Sequence, residues 1–231
     1  MSGRLFGIGV GPGDPELLTI KAVKAIQGCD VIAVPKSGES EKAAFSVVKQ
    51  YLDKKELIEC VFSMEKDMTK RMEARRIAAG RIIHFLERGK NVGFITLGDP
   101  TTYSTYMYVH EIITSNGFDA EIIPGVTSYA AAAAALGVAL CEGDETLTII
   151  PAAHNEDVDA LLKSPGNIVV MKSGDNLAQV LETLKKRGYG NRTKIACRVS
   201  MDDQRLYSNI EDYEKSPETG YFTIVLVKER I

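Results

Sequence analysis

No stretch of the 231 residues comes near the roughly 20 apolar residues that a membrane-spanning helix needs. The chain starts Met-Ser-Gly-Arg-Leu-Phe-Gly and runs directly into a strand-like segment, without the layout of a signal peptide, so a cytoplasmic location is expected. A large excess of either charge is missing as well. The formal net charge is −3, which argues against general nucleic-acid binding but leaves room for a local basic pocket facing an acidic small molecule. Cysteine is sparse: Cys29, Cys60, Cys141 and Cys197 lie far apart and form no C-x-x-C pair. That spacing speaks against a zinc site and for buried thiols in a reducing compartment. The three histidines, His84, His110 and His154, fall on expected helices or at a helix start, and no Ser-His-Asp ordering accompanies them. Hydrolysis by a triad and zinc chemistry are both disfavoured, and no metal bound by the protein is expected. The phosphate-binding pattern G-x-x-x-x-G-K-[ST] is missing. The dinucleotide pattern G-x-G-x-x-G fails twice: from Gly7 and Gly9 its third glycine is Pro12, and from Gly9 and Gly11 it is Asp14. There is no internal repeat, linker tail or disordered segment.

What is present is ordinary in bulk and specific in detail. Apolar residues make up 45% and charged residues 26%, as in a soluble globular protein with one large or two small domains. Apolar runs predict strands at Leu5 to Val10, Val31 to Val34, Leu57 to Phe62, Val92 to Leu97 and Ala120 to Ile123. Between them, helices are expected at Pro15 to Gln27, with Asp14 as cap and Gly28 as stop, at Lys42 to Leu52, over 66–88, and at Ser104 to Asn116. Tyr129 to Leu136 is a nearly pure alanine helix, suited to close packing at an interface or a ligand loop. The pattern changes around Gly137 to Gly143, where a domain boundary is placed: residues 1–138 form a parallel α/β domain and 139–231 a second one. In the second part, strands are expected at Thr146 to Ile150, Asn167 to Met171, Thr193 to Val199 and Tyr221 to Val227, and helices at 156–163 and 176–187. Gln204 to Ser208 and the last strand leave no room for helical crossovers, so antiparallel pairing and a mixed sheet follow.

The most informative stretch is 91–106, Asn-Val-Gly-Phe-Ile-Thr-Leu-Gly-Asp-Pro-Thr-Thr-Tyr-Ser-Thr-Tyr. It reads as a buried strand stopped at Gly98-Asp99-Pro100, followed by hydroxyls on Thr101, Thr102, Tyr103, Ser104 and Thr105. Gly98 allows close approach to the main chain, and Asp99 with Pro100 suits a helix start. In an open α/β sheet, ligands bind beyond the carboxyl ends of the strands. Three loops should therefore gather there, Gly11–Asp14, Gly98–Tyr103 and Pro124–Ser128, with Met171-Lys172-Ser173-Gly174 as a fourth candidate. Lys36 in Pro35-Lys36-Ser37-Gly38 lies on the same edge. The bland alternatives are a capped helix for Asp14, a solvated lysine for Lys36, and a solvated charged face for Lys66, Lys70, Arg71, Arg75 and Arg76.

Four motifs in order, Gly-Val-Gly-Pro-Gly-Asp-Pro-Glu-Leu-Leu-Thr at 9–19, Val-Pro-Lys-Ser at 34–37, Gly-Asp-Pro-Thr-Thr-Tyr-Ser-Thr-Tyr at 98–106 and Ile-Pro-Gly-Val-Thr-Ser at 123–128, resemble the tetrapyrrole (corrin/porphyrin) methyltransferases. The resemblance covers essentially the whole chain. Within that family, Val-Pro-Lys-Ser and Tyr-Ser-Thr-Tyr are most similar to the branch that methylates C-20 of precorrin-2 or cobalt-precorrin-2. It implies a class III methyltransferase fold of two α/β domains, S-adenosylmethionine held in the cleft between them, an acidic tetrapyrrole substrate, and a homodimer. It places Gly98, Asp99, Pro100, Thr127, Ser128 and Met171 against the cofactor. Tyr103 and Thr105 become cofactor or substrate neighbours, and looser main-chain contacts are implied near Arg198 to Met201. Asp14 matches a proposed base and Lys36 a basic partner of sirohaem-type relatives. Pro12 and Gly13, beside Asp14, fall on the substrate side. A substrate rich in carboxylates calls for cations, for which Arg71 and Arg75 are the foremost candidates, with Lys36, Lys66, Lys70, Arg76 and Lys172 behind them. Methylation at another tetrapyrrole position, of a diphthine precursor on a protein, or a non-enzymatic pigment carrier are the competing readings.

Overall fold

The structure, a computed structural model, describes residues 2–36, 39–62, 67–153, 157–215 and 220–229. Ser37, Gly38, Lys66 and His154 lie outside the described residues. The chain divides into two compact units, Met1–Thr127 and Ser128–Ile231.

The first unit is built on five strands: β1 (Leu5–Gly9), β2 (Val31–Pro35), β3 (Glu56–Cys60), β4 (Val92–Thr96) and β5 (Ala120–Ile123). They lie in the order β3-β2-β4-β1-β5, and every pairing is parallel. All five carboxyl ends therefore share one edge. The central strands are buried on both faces, which is why they read as continuous apolar runs. On one face α1 (Ile20–Gly28) and α2 (Glu39–Val48) pack on Ile8, Ile32, Ile95 and Ile123. On the other, α3 (Met68–Leu86) and α4 (Tyr106–Ser115) pack on Leu5, Val31, Ala33, Val92 and Phe94. The helical spacing of Ala78, Ala79, Ile82 and Leu86 gives α3 one stripe for the sheet.

Glycine inside a strand is normally a weakness, and here it makes room. A Cβ at Gly7 would sit 2.0 Å from the ring of Tyr106, which lies fully buried against β1. The Tyr106 hydroxyl meets His110 Nδ1 at 2.9 Å. Burial raises its ionisation well above the ordinary tyrosine range. At the rim of the sheet, Arg81 on α3 donates Nη1 to the Glu59 carbonyl at 2.7 Å. That carbonyl is on the outer strand, β3, which among the described strands pairs only with β2.

The second unit begins with α5 (Ser128–Leu136), the alanine helix, which packs on strands of its own unit. Its sheet holds β6 (Leu147–Pro151), β7 (Asn167–Met171), β8 (Thr193–Cys197), β9 (Arg205–Tyr207) and β10 (Thr223–Val227), in the order β6-β7-β10-β8-β9. β6 and β7 are parallel, while β10 runs antiparallel to both β7 and β8, and β9 antiparallel to β8. The sheet is mixed, as expected, and β6, β7 and β8 run in the same direction. α6 (Val158–Leu161), α7 (Leu177–Lys186) and α8 (Ile210–Glu214) complete the unit. Lys228 ties its start together, donating Nζ to the Ala139 carbonyl at 2.9 Å.

Three expectations change. The division falls at Thr127/Ser128 and not at 138/139, because the buried face of α5, Ala131 to Ala133, is used against β8 and β10. The single helix over 15–27 is two pieces. Asp14 caps a short 3-10 turn, Pro15–Leu17, and Thr19 caps α1 separately, accepting from the Ala22 amide at 3.0 Å. Leu18 is extended between them, with ψ 132°. Finally, Asp99 does not start a helix: α4 begins only at Tyr106, where Ser104 Oγ accepts the Tyr106 amide at 3.1 Å.

Candidate active site

The loops after β1, β4 and β5 meet at the carboxyl edge of the parallel sheet. Gly11 and Gly98 form an antiparallel bridge: the Gly11 amide donates to the Gly98 carbonyl at 3.2 Å and the Gly98 amide to the Gly11 carbonyl at 2.6 Å. A Cβ on Gly125 would lie 2.2 Å from the Gly98 carbonyl oxygen, and one on Gly9 2.6 Å from the Gly125 amide nitrogen. Gly9, Gly98 and Gly125 thus stack main chain on main chain, and no other residue type fits at Gly9 or Gly125. Gly98 itself adopts φ +73°, and the space its Cβ would fill holds no atom within 4 Å. Free space is thus left beside the Gly98 main chain, the kind of gap that a cofactor held by backbone groups requires.

Asp99 is buried, 8% exposed, and is the one acid among the buried polar residues described. Its Oδ1 accepts the Thr101 amide at 2.8 Å and also the Thr101 hydroxyl. Its Oδ2 accepts the Gly125 amide at 3.0 Å. Pro100 is buried beside it, and Thr105 and Thr127 are half-buried. Tyr103 stands at φ 51° and is 43% exposed. Positive φ is costly for an aromatic residue, and such strain collects at functional loops. Thr96 Oγ1 and Ser104 Oγ, 2.9 Å apart, close this loop back onto the end of β4.

Asp14 lies on the same edge, in the loop after β1, half-buried. Its Oδ1 accepts the Glu16 amide at 2.8 Å. Pro12 is buried and Gly13 half-buried just before it. Lys36 follows β2. Its amide donates to the Cys60 carbonyl at 2.8 Å, and its exposed ammonium pairs with Glu59 Oε2 at 2.6 Å. The structure thus confines Asp14 and Lys36 to one edge of one sheet, each with an ordinary local partner.

α3 and α4 both start at this edge. Stepping back along the stripe of Ala79, Ala78 and Ile82 in threes and fours gives Arg75, Arg71 and Met68. Where the apolar residues of the stripe end, the arginines begin. Both are half-buried, and the Arg75 guanidinium lies 3.4 Å from the centroid of the Tyr108 ring, in the first turn of α4. Met68, Met72 and Tyr108 are 58%, 46% and 47% exposed. This end of the helix pair is apolar and cationic together. Sequence reasoning named the arginines but missed Tyr108. The signal was an aromatic at the first turn of the neighbouring helix, which becomes legible only once α3 and α4 are known to be packed together.

In the second unit, Met171 is buried at the end of β7, and its carbonyl oxygen accepts the Ala152 amide at 3.0 Å. Lys172 follows at φ 49°. At the end of β8, Arg198 and Ser200 stand at φ 50° and 63°. Because β7 and β8 run in the same direction, these strained residues share one edge of the mixed sheet. Ser128 opens α5. Burial pushes the Cys29 and Cys60 thiols up to about 12, so both are inert at neutral pH. Among the described residues no three or more His, Cys, Asp or Glu side chains gather as a metal site, and no helix is long and apolar enough to cross a membrane.

A parallel unit with a glycine-lined carboxyl edge, followed by a unit with a mixed sheet, defines the two-part α/β fold of the class III methyltransferases. Residues 4–213 match the tetrapyrrole (corrin/porphyrin) methylases, and the chain belongs to that family. It is 37% identical over 97% of its length, and 96% of the relative's, to a Methanocaldococcus jannaschii protein named "probable cobalt-precorrin-2 C(20)-methyltransferase". It is 32% identical over 97% of its length, and 95% of the relative's, to a precorrin-2 C(20)-methyltransferase of Sinorhizobium sp. The fold is similar to that of a Thermus thermophilus uroporphyrin-III C-methyl transferase complexed with S-adenyl homocysteine. The TM-score is 0.73 at 21% identity, covering 98% of both chains.

Proposed function

We propose that this enzyme transfers a methyl group from S-adenosylmethionine to C-20 of precorrin-2 or cobalt-precorrin-2, a step in making the corrin ring of cobalamin. The observation that carries the reading is the near full-length identity to two relatives named for that reaction, one of them at 37%. The geometry agrees with it. In the first unit the interlocked glycines leave a main-chain cradle with free space at Gly98, and the residues there that would hold the cofactor are Gly98, Pro100, Tyr103, Thr105 and Thr127, with Asp99 behind them; for Ser128 and Met171 a cofactor role rests on the family resemblance. When bound, S-adenosylmethionine supplies an electrophilic methyl group on a sulfonium. The chain's own work is to align the acceptor carbon with that methyl, exclude water and handle one proton.

Asp14 is the group for the proton. Its cap engages Oδ1 alone, and Oδ2 has no partner among the described residues. It accepts the proton that the ring carbon loses when the new carbon–carbon bond forms, with Lys36 supplying positive charge on the same edge. Arg71 and Arg75, backed by Tyr108, meet the ring's carboxylates, while Met68, Met72, Pro12 and Gly13 offer apolar and main-chain contact. The enzyme acts as a homodimer in the cytoplasm. The alanine helix gives the dimer no support, since its buried face is occupied within its own unit.

The test is mass spectrometry of reactions with S-adenosylmethionine and either acceptor, followed by NMR of the product. One added methyl at C-20 is expected, and the preferred acceptor tells whether cobalt enters first. Cofactor binding without methyl gain on either acceptor would move the substrate to another position of the ring.

A further inference from the structure

We propose that Asp99 is a positioning residue: its carboxylate clasps the loop after β4 to the loop after β5, over the end of β1, and so sets the main chain that receives the cofactor. The proposal rests on the assignment of this edge to S-adenosylmethionine. Its sequence position suggests a side chain that touches the ligand, but the hydrogen bonds show otherwise. Oδ1 is taken by the Thr101 amide, at 2.8 Å, and by the Thr101 hydroxyl, and Oδ2 by the Gly125 amide at 3.0 Å. Both oxygens are committed to protein donors, and the side chain is withdrawn from the surface, with the residue 8% exposed.

The clasp spans 26 residues of chain and an intervening strand, since β1 lies between β4 and β5. What it joins is a stack with no slack. Gly125 approaches Gly98 so closely that an added Cβ would fall 2.2 Å from the Gly98 carbonyl. A small displacement of the 124–127 loop would therefore close or distort the opening at Gly98. Charge matters as well as shape. Three donors converge on the two oxygens, and charge-assisted hydrogen bonds to a carboxylate are the strong kind. An amide in its place must turn an NH2 group toward either Gly125 or Thr101, setting donor against donor and leaving a buried N–H unsatisfied.

Asp99→Asn tests this on the protein without cofactor. The readout is amide hydrogen exchange by NMR at Gly125 and Thr101. Exchange at one or both is expected to rise at least about tenfold, as the loss of one such bond implies. By calorimetry, S-adenosylmethionine affinity should fall by about the same factor, and the KM for the cofactor should rise more than kcat falls. Weakened cofactor binding with unchanged exchange at both amides would make Asp99 a direct ligand and overturn the clasp. Unchanged exchange and unchanged affinity would overturn it too. Should Asp99→Asn fail to fold, Thr101→Val at an exposed position removes only the hydroxyl donor, and a smaller rise in exchange at the same amides is expected; no rise refutes the clasp. A wild-type chain that binds no S-adenosylmethionine would refute the functional reading alone, because the exchange measurement needs no ligand.

Discussion

The two carboxylates at the carboxyl edge of the parallel sheet are held differently. Asp14 is half-buried and keeps one oxygen without a partner among the described residues, whereas Asp99 is buried and fully bonded. Asparagine serves as well as aspartate at a cap, which separates the cap of Asp14 from its proposed role as base. Asp14→Asn should leave the melting temperature and S-adenosylmethionine affinity near wild type while turnover drops about 100-fold or more, the usual worth of a positioned base. Full turnover in that variant would leave Asp14 with its cap alone. Both residues were visible in the sequence as acids next to proline after a strand, and both looked like helix caps. The expectation held in part for Asp14, whose donor is two residues away. Asp99 likewise accepts the amide two residues on, at Thr101, but no helix follows it, and its other partner is Gly125, in a bond between distant loops about which a local pattern carries no information.

Among the elements, parallel strands and their helices were legible because burial on both faces writes itself as short apolar runs between glycine and proline stops. The short pieces were not. The break at Leu18 hides inside a good helical pattern, and α8, Ile210–Glu214, is too short for periodicity, being held instead by its Asn209 cap on the Asp212 amide at 2.8 Å. The close stacking of β1, β4 and β5 loops was legible only as an excess of glycine. Gly125→Ala must push against backbone that cannot yield, so a loss of about 1–3 kcal/mol is expected on thermal or urea unfolding, together with weakened cofactor binding. Gly28→Ala, at the end of α1 with nothing within 4 Å, is the matched control and should be neutral or slightly stabilising. Equal effects at both positions would mean that the stack is looser than it looks.

For the whole molecule, the division into two units was expected, but its position was read from composition and fell 11 residues late, 138 against 127. Composition reports where a pattern changes, whereas packing decides to which body a helix belongs. The second unit also carries the clearest dependence on acid. Glu145, with a side chain 6% exposed, accepts Asn167 Nδ2 at 2.7 Å and the Glu142 amide at 3.1 Å, with Lys228 at 3.5 Å. The Asn167 bond first, and then the Glu142 amide and Lys228, hold its carboxyl below the ordinary 4.5. A depressed value in the folded chain means that the stabilisation is complete above 4.5 and is lost as pH falls through the lower, folded value. Denaturation between about pH 3 and pH 6 should show stability falling toward acid, with a shallower fall in Glu145→Gln, whose carbonyl can still accept from Asn167. Identical slopes would remove Glu145 from the acid response.

The Arg81 guanidinium on the Glu59 carbonyl also bears on how copies of this protein behave in a crowd. An outer strand is an invitation to sheet growth, and runaway growth of that kind ends in aggregates. Here the invitation is partly withdrawn. An incoming strand would have to evict a bonded cation before its own ladder could form, so growth at the β3 rim is opposed.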